Sequence, residues 1–156
     1  METLDDVELP EPGEGACGLW ASGALATDNS IHYMPHNAHR MMKLNPDNDS
    51  LSSVGGYLGE GFKCSGTVVG NDDCMYGIPS YDVTRIIKFD PTSPDSTSTV
   101  GEQADEIECG DKGVLAGDGY IYAANDSGQV LKVDTTRKNY TWIGDRICDS
   151  GWQRQG

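Results

Sequence analysis

The chain has 156 residues, 37% of them hydrophobic, with 20 glycines and 7 prolines spread along its length. That length suits one domain with a real core rather than two, and evenly scattered turn residues suit many short strands. Eleven basic against 25 acidic residues give a formal charge of -14, which repels phosphate backbones, argues against nucleic acid as a partner, and attracts cationic protein patches, basic peptides or divalent cations.

Residues 1 to 19 form an acidic N-terminal segment. Met1 to Gly15 has neither a basic n-region nor an apolar h-region, so it does not read as a signal peptide, and the cytoplasm is the default compartment. No apolar run is long enough to span a membrane. Asn-x-Ser/Thr sequons at Asn48, Asn125 and Asn139 would matter only on export.

From residue 20 onward one pattern returns three times, in units of about 20–63, 64–109 and 110–151, and a fourth opens at Trp152. Gly23-Ala24-Leu25, Thr67-Val68-Val69 and Gly113-Val114-Leu115 begin it, at steps of 44 and 46. Ile31-His32-Tyr33, Cys74-Met75-Tyr76 and Tyr120-Ile121-Tyr122 follow, aligned on Tyr33, Tyr76 and Tyr122. Next come stretches holding Lys43, Lys88 and Lys132, each two residues before Asn45, Asp90 or Asp134. Gly55, Gly101 and Gly144 close the units.

Each unit contains about four apolar runs of strand length divided by turn residues. In the first unit strand A is expected near 23–27, B near 31–35, C near 40–45 and D near 51–54. The A–B connection is a tight hairpin, Asp118-Gly119 in the third unit, a pair that readily takes positive φ. Pro46 and Pro91 end strand C. Asn45 to Ser50 lacks the glycine and glutamate of a calcium-binding EF-hand loop and reads as a turn.

A four-stranded sheet apolar on both faces must stack against copies of itself, and radial stacking is a β-propeller. The fold class is therefore all-β: a partial propeller of about three four-stranded antiparallel blades plus the start of a fourth. The strand order resembles NHL-type and Kelch-type repeats. Residues 113 to 122 and Tyr76-Gly77-Ile78-Pro79 are similar to the tandem W-x-G-G-V-L-A-x-x-G-x-I-Y-G-I-P repeats of algal and protist proteins, although Cys64 and Gly110 stand where those repeats open with tryptophan. Rings close with four to eight blades, so a partial sequence is expected, with self-association through open blade edges as the alternative.

In such a sheet the B–C loops and D–A connections share one rim, and loops on a rigid scaffold are the usual seat of recognition. The candidate contact residues there are His36, His39, Ser80, Tyr81, Asp82, Asn125 and Asp126, beside Asn37, Ser127, Tyr57, Glu60, Phe62, Glu102, Asp105, Glu106, Asp145 and Arg146. The expected function is a non-catalytic binding or interaction scaffold for a protein or glycan ligand. The alternative is a propeller enzyme, a metal-dependent hydrolase or lactonase, with its site at the central channel.

No cofactor is expected. His32, His36 and His39 cluster within eight residues, which makes His36 and His39 the candidates for Zn2+, but no other unit supplies matching ligands. Ca2+ bridged by acidic rim loops is the other option. The five cysteines, Cys17, Cys64, Cys74, Cys109 and Cys148, form no CxxC motif and read as free buried thiols. The recurring lysine reads as structural, its stem covering apolar surface and its amine reaching an acidic turn of its own or a neighbouring blade.

Overall fold

The computed structural model describes residues 18–80, 83, 85–93, 95, 97–101 and 112–147. These form twelve strands and no helix: β1 Trp20–Leu25, β2 Ile31–Pro35, β3 Met41–Asn45, β4 Ser50–Val54, β5 Cys64–Val69, β6 Met75–Pro79, β7 Ile86–Phe89, β8 Thr97–Val100, β9 Gly113–Leu115, β10 Ile121–Ala124, β11 Val130–Asp134 and β12 Asn139–Ile143. Among the described residues no helix is long and apolar enough to cross a membrane. The strands make three antiparallel sheets, each in sequence order. Their first strands lie side by side, with β5 next to both β1 and β9, and Thr67 Oγ1 donates to Ser22 O at 2.9 Å across that gap. The molecule is a partial β-propeller whose first strands line the axis.

Strand A starts three residues earlier than expected and stops at Leu25, because Ala26 to Asn29 make the turn. Every A–B hairpin repeats one geometry. The Asn29, Asp73 and Gly119 amides donate to Ala26 O, Gly70 O and Ala116 O, and those three residues alone in their turns have positive φ, at 63°, 57° and 87°. This is a type I turn followed by one left-handed residue, so Asp118-Gly119 supplies a single positive φ rather than two. Asn45, Asp90 and Asp134 cap their C–D turns by accepting from the amides of Asp47, Thr92 and Thr136. Asn45 to Ser50 is thus a turn, as expected.

The sheets bury themselves only against one another, and side-chain alternation along each strand sends residues to opposite neighbours. Between the first and second sheets pack Met34, Met41, Cys64, Met75, Ile87 and Phe89. Between the second and third pack Tyr76, Ile78, Ile86, Val100, Ile121, Leu131 and Val133. The second sheet is covered on both faces, so every residue of β6 is buried. Gly113 fits where blades approach closely, since a Cβ there would lie 2.7 Å from Ile78 Cδ1.

One sequence alignment needs correction. Tyr76 and Tyr122 lie opposite Lys88 and Lys132, but Lys43 lies opposite His32, whereas Tyr33 faces Met42. The residue equivalent to Tyr76 and Tyr122 is therefore His32. A shift of one along a strand moves a side chain to the other face of the sheet, so Tyr33 points away from the second blade.

The recurring lysines reach their own A–B turns. Lys43 Nζ is 2.9 Å from Asp28 Oδ2 and Lys88 Nζ bonds Asp72 Oδ2, while Lys132 Nζ lies 3.8 Å from the centroid of the Tyr120 ring.

Candidate functional site

The B–C loops and D–A connections do share a rim, and backbone hydrogen bonds knit them together. In the first blade Leu58 N–H donates to His39 O and Lys63 N–H to His36 O, both at 2.8 Å. Ser80 N–H donates to Lys63 O at 3.0 Å, and in the third blade Ile147 N–H donates to Ser127 O at 2.8 Å. This architecture sets the first blade's histidines against its outgoing connection.

His36 Nδ1 donates to Cys64 O at 2.6 Å, which leaves Nε2 as the acceptor nitrogen, and its ring packs against Phe62 with centroids 5.0 Å apart. His39 Nε2 is 2.9 Å from Glu60 Oε2 and its ring sits 5.1 Å from that of Tyr57. Tyr57 Oη donates to Glu60 Oε1 at 2.6 Å. The Tyr57 hydroxyl and then His39 hold the Glu60 carboxyl below its ordinary value. Tyr57 and Phe62 are nonetheless 56% and 53% exposed, giving two aromatic surfaces fixed at the rim by histidine neighbours.

The other expected residues divide. Ser80 is buried and serves the backbone of the connection. Asn125 closes its own loop, its Oδ1 accepting from Ser127 Oγ at 2.9 Å and Gln129 N–H at 2.8 Å, and Asp126 beside it is exposed. Tyr81, Asp82, Glu102, Asp105 and Glu106 lie outside the described residues, as do Cys17, Cys109, Cys148 and Trp152. His36 and His39 are engaged by different partners, Cys64 O and Glu60. Among the described residues no three His, Cys, Asp or Glu side chains gather closely enough to hold a metal ion.

Lys63 belongs to this rim and was not foreseen. It is 4% exposed, its Nζ donates to Gly61 O at 2.8 Å, and burial pushes its amine below the ordinary lysine value. Nothing in its local sequence signals burial; its backbone joins two B–C loops, Lys63 N–H donating to His36 O and Lys63 O accepting from Ser80 N–H. Cys64 and Cys74 are free and buried, as read from sequence; burial pushes the Cys64 thiol up to about 12 and raises that of Cys74, so neither is a reactive thiolate.

The opposite rim, formed by A–B and C–D turns, holds a shallow depression of about 300 Å³ between Asn71 and the Asp118, Tyr120 and Arg137 side chains. The third histidine lies on the same side. His32, 1% exposed, packs on Phe89 at 5.2 Å between centroids. Ser30 Oγ bonds Asp28 Oδ1 and lies 2.8 Å from His32 Nε2. The carboxylate only accepts, so the serine proton goes to Asp28 and the imidazole proton must sit on Nε2. Nδ1 is then a buried acceptor without a partner.

Burial and then Lys43 lower the His32 pKa from 6.5. The unfolded chain consequently binds the proton first as pH falls. This contribution to stability is complete above pH 6.5 and declines as pH drops below it. Urea unfolding midpoints should therefore fall between pH 7 and pH 5, and the fall should be smaller in His32→Phe. Equal slopes for the two proteins would rule this assignment out.

No protein-family model matches the sequence, and no curated protein matches it. Solved structures do resemble the fold. Virginiamycin B lyase from Staphylococcus aureus aligns with a TM-score of 0.67 at 12% identity, over 86% of this chain and 43% of that one. A streptogramin B lyase gives 0.61 at 13%, over 86% and 42%, and Kuenenia stuttgartiensis hydrazine synthase 0.56 at 13%, over 80% and 35%. The chain thus spans less than half the length of each. At these identities the likeness is one of fold, and it places the three sheets among propeller proteins.

Proposed function

We propose that the chain is a non-catalytic interaction scaffold that binds a protein or glycan ligand through the rim of B–C loops and D–A connections, with His36, His39, Ser80, Tyr81, Asp82, Asn125 and Asp126 around the contact. The observation that carries this reading is the exposed Tyr57 and Phe62 pair, each braced by a histidine ring. Aromatic side chains with few rotatable bonds, held before the ligand arrives, bind at low entropic cost, and they suit both protein hot spots and sugar faces. The carboxylate of Glu60 adds a hydrogen-bond acceptor between them.

The repeats are further read as NHL-like or Kelch-like blades, on the likeness of strand order alone. An enzymatic reading gains one point from Lys63, a buried amine beside Glu60 with lowered basicity. It loses ground at the axis, because β1, β5 and β9 carry no carboxylate and no imidazole among their residues. Zn2+ at His36 and His39, or Ca2+ at the acidic loops, is retained only within that second reading.

The test is selection of ligands from a glycan array and a peptide display library against the whole chain, followed by Tyr57→Ala with Phe62→Ala. Loss of two hot-spot aromatics should weaken a selected ligand at least about a hundredfold. Ligands that survive this pair but are lost in Asn71→Ala with Arg137→Ala would move the site to the opposite rim. Turnover on a lactone panel that disappears in Lys63→Met would favour the enzyme.

A further inference from the structure

The two outer faces of the three described sheets are interblade faces with no partner sheet among the described residues. Alternation gives every sheet a leading face and a trailing face. The leading faces carry an acidic A–B turn residue, a cross-strand His or Tyr with Lys, and an apolar patch behind them. In the first sheet these are Asp28, His32 and Lys43 with Met34 and Met41; in the second they are Asp72, Tyr76 and Lys88 with Ile78 and Ile86. Both are covered by the trailing face of the next sheet. Trailing faces are made of apolar cross-strand pairs: Met75 with Phe89 and Gly77 with Ile87 in the second sheet, Ile121 with Val133 and Ala123 with Leu131 in the third.

The third sheet presents a complete leading face, with Asp118, Tyr122 and Lys132 backed by Ala124, Val130 and Ile143. The first sheet presents a complete trailing face, Ile31 with Leu44 and Tyr33 with Met42. Among the described residues no further sheet covers either. Val114 is 61% exposed and Ile143 46% on the one, whereas their covered counterparts Val68 and Val100 are 7% and 1% exposed, and Leu25 is 60% exposed on the other.

We propose that these faces belong to each other: a second copy of the chain seats its first sheet on the third sheet of its partner, and its own third sheet receives the partner's first. The argument is continuity with the two interfaces already inside the molecule, which join the same kinds of face in the same order. The contact is heterologous, and two copies joined in this way satisfy both kinds of face on each chain. It rests on the fold and is independent of the rim reading. The formal charge of -14 on each chain opposes association, so pairing strengthens with salt.

Sedimentation velocity of the full chain between 1 and 100 µM, about the range a moderate interface responds to, tests this. A dimer that tightens with salt is expected. Leu25→Asp and Ile143→Asp, each spoiling one face and leaving the strand circular dichroism unchanged, should each be monomeric. Mixing the two variants should restore dimers, because one trailing and one leading face remain intact in the mixed pair. A wild-type monomer at the highest concentration, open polymers that grow with concentration, or a mixture without rescue would each overturn the proposal.

Discussion

Phe89→Ala is expected to cost about 3 to 5 kcal/mol and to lower the urea midpoint accordingly, the range seen when a large buried aromatic is truncated. Phe89 has no exposure and stands in the core between the first two sheets. Its ring also meets His32 from the preceding blade, so truncation opens a cavity at an interface rather than within one sheet. Rigid strands on both sides limit collapse into the gap, which favours the upper part of that range. Interblade packing is what holds each sheet in place, so the first blade should lose hydrogen-exchange protection before the third does. A loss below about 1 kcal/mol, or equal loss of protection across all three blades, would contradict the packing described.

The repeat was legible because turn chemistry and strand patterning recur together: proline after Asn45 and Asp90, glycine after Asp118, and lysine two residues before each C–D cap. Sheet order followed from short connections. The phase of the first blade was misread because His32 and Tyr33 are neighbours and tyrosine is the residue shared with the other copies. The A–B turn aspartates, Asp28, Asp72 and Asp118, repeat at 44 and 46, the spacing of His32, Tyr76 and Tyr122, and would have fixed the phase. That the B–C loops and D–A connections share one rim was legible, since it depends only on connectivity. Which of its residues face solvent was not legible. Ser80 and Lys63 look polar and exposed in sequence, yet both are buried where Ser80 N–H donates to Lys63 O. Such burial depends on loop geometry that no periodicity encodes.

The rim and the blade faces divide the work of the sequence in a physically simple way. Residues that alternate along strands are used up by blade packing, so variation without structural cost is confined to the loops. Tyr57 and Phe62 lie in a connection whose backbone is already tied down at Leu58 and Lys63. Side chains there are displayed on a connection that is already ordered.

The same cross-strand pair, placed once in a covered face and once in an open one, yields the second large effect. Lys88→Ala should destabilise by about 2 to 3 kcal/mol, because it strands a partly buried carboxylate. Lys88 bonds Asp72, which also accepts from Tyr76 Oη at 2.9 Å and from the Cys74 amide at 3.3 Å, and Tyr76 is wholly buried. Burial acts to raise the Asp72 pKa, yet Lys88 and Tyr76 together hold it below the ordinary carboxyl value, so the pair outweighs its desolvation. Lys132→Ala removes the equivalent lysine from the third sheet, where Asp118 is exposed and keeps its 2.7 Å bond from Tyr122 Oη, and should move the midpoint hardly at all. Both variants are to be compared in the Leu25→Asp background, which keeps the third sheet's face open. Lys88→Met separates the two roles of that side chain: it retains the apolar stem and should recover part of the loss, while Asp72→Asn added to it should recover most of the remainder. Equal effects at Lys88 and Lys132 would mean that the third sheet's leading face is not open.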